Sequence, residues 1–182
     1  GSAYHGYYGQ HMYHPLLVFD GETGQLITAV LRPGTVHAGH GALAILQRIL
    51  ARLRERWPEV AIPIRADAGF AKPALFAWCE AEDIAYTIGL VTNPRLTALA
   101  APVLAETLAA SAQANGVKVR LIAETPYQAG TWDAPRRVVI KAEILAPGPN
   151  IRFVVTTRRD APEAVYDAYV DRGETENWIK DL

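Results

Sequence analysis

The chain predicts an α/β fold with a mixed sheet, and three observations carry that prediction. Between residues 61 and 114 short apolar runs alternate with segments of helical period, the strand–helix–strand–helix order of parallel pairing. A hairpin precedes this stretch, which adds antiparallel strands to the sheet. After it come three β-rich segments divided by Gly/Pro turns, and then one closing helical run.

Taken in order, "GSA" at residues 1–3 reads as an expression scar and stands outside the fold. "MYHPLLVFDG" (12–21) and "ETGQLITAVLRPG" (22–34) are two β-rich runs around a Gly-containing turn. They predict an antiparallel hairpin that sets Leu16–Phe19 against Leu26–Leu31. From His37 to Trp57 the period changes: Ala42, Leu46, Ile49, Leu50, Leu53 and Trp57 recur at threes and fours, the mark of an amphipathic helix that Pro58 stops. "AIPIRADA" is a short buried strand. Lys72–Glu82 is a helix with Pro73 suited to its first turn, and "IAYTIGL" (84–90) is a strand that ends at Asn93-Pro94. Residues 95–114 are Ala/Leu-rich and helical, with Asn115-Gly116 as the stop. "VKVRLIAETPY", "RRVVIKAEIL" and "IRFVVTT" read as three strands, Val117, Val119 and Leu121 alternating with Lys118 and Arg120. Residues 160–182 predict one helix, with Asp160 as N-cap and Pro162 in the first turn.

Bulk properties exclude several classes. The 182 residues allow one domain with a proper core, or a domain with an insertion. No apolar run approaches the ~20 residues of a membrane span, and no secretory leader opens the sequence. The single cysteine, Cys79, forms no internal disulfide, and with five scattered histidines (5, 11, 14, 37 and 40) it gives no zinc-ligand spacing. The histidines are expected to be structural. A net charge of −1 argues against a surface that is cationic all over, yet two basic groups stand out. Arg48, Arg52, Arg54 and Arg56 read as a solvated helix face. Arg136, Arg137, Lys141, Arg152, Arg158 and Arg159 crowd a second region, either solvated or facing a polyanion.

The chemistry centres on Asp67. A carboxylate at the carboxyl end of a buried strand, followed by Ala68 and Gly69, reaches the sheet edge where ligands of open α/β sheets bind. The plain alternative is an Asp that starts a turn or caps a helix. A partner occurs in "YVDRGETENWIK", where Tyr169, Arg172 and Glu176 fall at i, i+3 and i+7 and so share a face of the expected helix. Two carboxylates so placed suit Mg²⁺ or Mn²⁺, which prefer oxygen ligands, and Arg172 suits a phosphate or Glu176 itself. An ordinary surface Glu–Arg pair is the alternative there.

The stretches "YHGYYGQHMYHPLLVFDGETGQLI", "RADAGFAKPALFAWCEAEDIAYTIGL" and "YVDRGETENWIKDL" together resemble the catalytic domain of DDE-type insertion-sequence transposases, and within them the IS1380-type branch of the IS4-like group. The most specific piece is the Y-x-x-R-x-x-x-E spacing of Tyr169, Arg172 and Glu176. The resemblance implies an RNase H-like mixed sheet flanked by helices. It divides the chain into part of that core at 4–116, a β-rich insertion at 117–157 and a C-terminal helix at 158–182 that carries the third acid. Asp67 would be the second acid of the catalytic triad and Glu176 the third, both of them Mg²⁺ (or Mn²⁺) ligands. Tyr169, Arg172, Trp132, Arg136 and Arg137 would position DNA or its phosphates, Trp132 by stacking on an exposed base. For Trp132 the alternative is a core aromatic of the sheet.

The first acid of the triad belongs on a strand upstream of "HGYYGQ". No acidic residue precedes Asp20, which falls in the hairpin turn and is a poor substitute. The Lys that the family carries seven positions after its Glu would fall past Leu182, and Lys180 comes three positions too early. The expectation is therefore a fragment of a longer protein that lacks the first strand and is inactive alone. Its partners would be double-stranded DNA (the element's terminal repeats and its target) and, through an uncovered sheet edge, other copies of itself. No membrane is expected, and the setting implied is the bacterial cytosol, nucleoid-associated when active. Two other readings share the acids or the shape: a non-catalytic DNA-binding or assembly module, and a metal-dependent nuclease without strand transfer.

Overall fold

The computed structural model describes residues 1–6, 9–114 and 118–180, apart from the side chains of His5, Glu176 and Lys180. In chain order the elements are β1 (Ala3–His5), β2 (Gln10–Met12), β3 (Leu16–Phe19), β4 (Leu26–Val30), α1 (Ala42–Arg56), β5 (Ile64–Ala66), α2 (Pro73–Ala81), β6 (Tyr86–Leu90), α3 (Pro94–Gln113), β7 (Arg120–Tyr127), β8 (Arg136–Leu145), β9 (Gly148–Thr156), α4 (Pro162–Val170) and α5 (Glu174–Lys180). They fall into two compact units: Gly1–Val60 with the chain from Arg172 onward, and Ala61–Asp171.

In the first unit β1 pairs with β2, and β3 with β4, each as a separate two-stranded antiparallel sheet. The expected hairpin therefore forms, with Leu16 opposite Val30 and a register shift at Val18/Phe19, but it does not contribute strands to the main sheet. Asp20 builds its turn: one carboxylate oxygen accepts the backbone N–H groups of Glu22 (2.8 Å) and Thr23 (3.0 Å), which hold the carboxyl below its usual range. Gly24 closes the turn at φ +72°, where a Cβ would lie 2.9 Å from the Trp178 ring of α5. Phe19 meets the same ring at 5.7 Å between centroids.

Arg32 is buried and ties down the segment ahead of α1 by donating to the carbonyls of His14, Ala38 and His40. That segment explains why α1 begins at Ala42 rather than at His37. Gly39 and Gly41 lower helix propensity, and Gly41 takes a left-handed φ of +71° at the N-cap. At the other end Arg54 donates to the carbonyls of Pro58 and Val60, so this arginine of the first basic group finishes the helix. The described core of this unit is small: Leu16, Ala42 and Leu50.

The second unit is built on a five-stranded mixed sheet in the order β5-β6-β9-β8-β7. Only β5 and β6 are parallel, joined through α2, and the remaining pairs are antiparallel. The three strands that the sequence set apart as an insertion thus run on from β6 in a single sheet, through β9. Side chains alternate across it. Val139 and Val154 cluster with Val165 and Tyr166 of α4. Val138, Ile140 and Val155 point the other way and are also buried; α3, which packs on β7, β8 and β9, buries Leu96, Ala100 and Val103. Asn93 caps α3 by accepting the Leu96 N–H at 3.0 Å. The Asn115-Gly116 stop and Val117 lie outside the described residues.

Residues 160–182 do not form a single regular α-helix. The described part, to Lys180, is α4, a 3-10 turn at Asp171–Gly173, and α5, because Gly173 weakens the middle of the run. The cap differs as well. Ala161 occupies the N-cap position, while the Asp160 carboxylate accepts from Arg158 at 2.7 Å. Among the described residues no helix is long and apolar enough to cross a membrane.

Candidate active site

The end of β5 brings Asp67 out of the sheet. Asp67 is the N-cap of the 3-10 turn Ala68–Phe70, in extended conformation, and one of its oxygens accepts the Gly69 N–H at 2.7 Å. The turn-forming role that the sequence offered is thus real. It engages one oxygen of a half-buried carboxylate at the carboxyl end of a parallel strand.

Tyr169 arrives at this strand end from α4. Val165 and Tyr166 anchor the helix on Val139 and Val154, with Tyr169 packed against the same cluster. The Tyr169 hydroxyl occupies the space over Gly89 of β6. A Cβ on Gly89 would collide with it and stand 3.1 Å from the Ala68 nitrogen, so the phenol lies beside the turn that Asp67 caps. Arg65, two residues before Asp67, donates from Nη1 to the Ala168 carbonyl at 2.7 Å and approaches Asp171 at 3.8 Å. Neither Arg65 nor Gly89 was singled out from the sequence. The available signals were a charged residue inside an apolar strand two positions from the acid, and a glycine inside a strand, which marks close approach of another group.

Arg172 lies in the 3-10 turn and the Glu176 backbone in α5, both in the first unit, whereas Asp67 and Tyr169 belong to the second. The 3-10 turn also breaks the regular α period on which the i, i+3, i+7 spacing of Tyr169, Arg172 and Glu176 relied.

The remaining positions lie on β8 or, for Trp132, in the connection between β7 and β8. Trp132 is 8% exposed and meets Phe76 and Tyr127 edge-on, at 5.3 Å each between centroids. The guanidinium of Arg136 sits 5.5 Å from its ring. Arg136 itself is buried and forms a two-pronged pair with Glu80 of α2 (2.6 and 2.7 Å), plus a contact to Asp133 at 2.9 Å. The Tyr86 hydroxyl donates to the same Glu80 at 2.7 Å. Arg136 holds the Glu80 carboxyl below its ordinary value of 4.5, and burial together with Glu80 pushes the Tyr86 phenol up. Arg137 pairs with Glu124 and donates to the carbonyls of Arg158 and Asp160. Lys141 is buried against Glu143 at 2.9 Å. Of the second basic group, Arg152 and Arg159 are exposed and make no ion pair with a described residue.

Among the described residues no three His, Cys, Asp or Glu side chains gather as a metal-binding group. No curated protein matches the chain. A family match covers it entirely: residues 1–182 fit the family described as transposase DDE domain group 1. With an acid at the end of a parallel strand in a mixed α/β sheet, and a match from end to end, the chain belongs to the transposase DDE domain family, whose members act on DNA in transposition and recombination.

Proposed function

We propose that this chain is catalytic-domain sequence of a DNA transposase that breaks and joins phosphodiester bonds at the ends of its element, on an RNase H-like core of the IS1380-type branch of the IS4-like group. The observation that carries the reading is the placement of the Tyr169 hydroxyl over Gly89, beside the turn capped by Asp67. It joins one member of the Y-x-x-R-x-x-x-E spacing to the strand-end acid.

The donor set fits a hard divalent ion in kind: the carboxylates of Asp67 and Glu176 are oxygen ligands of the sort that Mg²⁺ and Mn²⁺ take. When bound, a pair of such ions would lower the pKa of the attacking hydroxyl or water and neutralise charge on the leaving oxygen. The chain's own side chains bind and orient. Tyr169 donates its phenolic proton to a phosphate oxygen, and Arg172 offers its guanidinium to phosphate or to the Glu176 carboxylate. Arg152 and Arg159, exposed and outside any described ion pair, supply charge to the DNA backbone. Arg136, Arg137 and Trp132 act one step back: Arg136 and Trp132 reach Glu80 and Phe76 of α2, Arg137 ties β8 to β7 through Glu124, and a base stacked on Trp132 would have to displace Phe76 and Tyr127 from its ring.

Two acids of a three-acid set bind a divalent ion weakly, so this chain by itself is expected neither to cut nor to join DNA. In the cell the protein would be found with the nucleoid. The test is Mn²⁺ titration by calorimetry of the wild type beside Asp67→Ala and Glu176→Ala. Binding lost in both variants supports one shared metal centre; binding indifferent to both returns Asp67 to a turn residue and removes the catalytic reading.

A further inference from the structure

We propose that Arg65 is a positioning residue, which clamps the last turn of α4 to β5 so that the Tyr169 hydroxyl stays over Gly89, beside the turn that Asp67 caps. The inference rests on the reading that Tyr169 meets a DNA phosphate. It assigns the geometry of that contact to a residue outside the acid and Y-x-x-R-x-x-x-E sets.

Two anchors hold α4. Its N-terminal half is fixed by apolar packing of Val165 and Tyr166 on the sheet. Its C-terminal end runs into the 3-10 turn, where the Asp171 N–H reaches the carbonyls of Asp167 and Tyr169, on either side of Ala168. Arg65 meets that end. Nη1 donates to the Ala168 carbonyl at 2.7 Å and stands 3.8 Å from the Asp171 carboxylate, 103 residues away from Ala168 in sequence. Ala168 immediately precedes Tyr169, so the clamp grips the helix at the residue next to the phenol. Arg65 and Asp67 are two apart on an extended segment and leave it on the same side. One strand end therefore delivers both the acid and the clamp. Gly89 completes the arrangement by leaving room for the hydroxyl.

The test labels the eight tyrosines of the chain with 3-fluorotyrosine and follows the ¹⁹F spectrum, assigned by single Tyr→Phe variants. Arg65→Met and the milder, polar Arg65→Gln both lose the fork that reaches Ala168. Each is expected to shift and broaden the Tyr169 resonance. Tyr86 and Tyr127, whose contacts lie with Glu80, Asn93 and Trp132, stay in place and separate a local effect from general loosening. A Tyr169 resonance unmoved in either folded variant overturns the proposal.

The second readout is binding of a random-sequence DNA duplex across a salt series. Acting through Tyr169, Arg65 leaves the slope of log K against log salt unchanged, while affinity falls by about tenfold, the low end of what one charge-assisted hydrogen bond is worth, because that bond is displaced and not removed. A slope smaller by about 0.9 means that Arg65 touches phosphate itself, which overturns the positioning role. The fluorine readout needs neither metal nor DNA, so failure of the metal-centre reading in the Mn²⁺ titration is distinguishable from failure of the clamp.

Discussion

Gly89 is a strand residue whose side-chain space belongs to another residue. Gly89→Ala places a methyl group where the Tyr169 hydroxyl lies, and overpacking of this kind costs about 1–3 kcal/mol. Tyr169→Phe removes the colliding oxygen, so the double variant is expected to recover part of that loss. A thermodynamic cycle from urea denaturation of the two single variants and the double variant checks it, since strict additivity would mean that the two residues do not meet. Glu80 and Arg136 give a second case. Glu80→Ala strands a buried guanidinium that keeps Asp133 and two aromatic rings as neighbours. We expect a loss of about 2 kcal/mol, below the usual figure for a broken buried pair because a third of the Glu80 side chain meets solvent. The same pair sets a pH dependence. The folded-state value of Glu80 is lowered, so its contribution is complete above the ordinary value of 4.5 and is lost as pH falls through the lower, folded one. Urea midpoints of the wild type should fall as the pH drops below about 4.5, and those of Glu80→Ala should fall less.

Among elements, the β3–β4 hairpin serves α5. Its turn presents Gly24 to Trp178, two residues beyond Glu176. Gly24→Ala adds a Cβ at a left-handed φ and against the indole, and should quench or shift the Trp178 fluorescence as the ring moves; Trp178→Phe identifies that signal. Periodicity and punctuation made the helices and strands legible at this scale: Pro73 starts α2, Asn93 caps α3, and alternation marks β7 and β8. What escaped was pairing. Nothing in "IRFVVTT" says that β9 lies beside β6 rather than in a sheet of its own, because strand partners are chosen by tertiary packing. The break at Asp171–Gly173 escaped for another reason, since a single glycine in a polar run costs only about 1 kcal/mol and is often tolerated. In the candidate site Asp67 was legible from its position after an apolar strand. Arg65 and Gly89 were not, because their partners lie 103 and 80 positions away (168 minus 65, 169 minus 89) and no local pattern announces them.

Over the whole molecule, burial is uneven. The second unit holds Phe76, Tyr86, Ile88, Val138, Val139, Val154 and Val155 at 0%, while the described core of the first is Leu16, Ala42 and Leu50. Local opening follows burial, so amide exchange should be slowest in β6, β8 and β9 and faster by orders of magnitude in β1–β4. Equal protection in both units would contradict this account. Within that slow core sits Cys79 of α2, fully buried, with its thiol pushed up to about 12 by burial and by neighbouring Glu80. Only a thiolate reacts readily with alkylating reagents, so the folded chain should ignore them. As the sole cysteine in the sequence, Cys79 is a built-in clock: each alkylated molecule is one whose second unit has opened. The rate of labelling in dilute denaturant therefore times that opening directly, with no added probe and no assay of what the protein does.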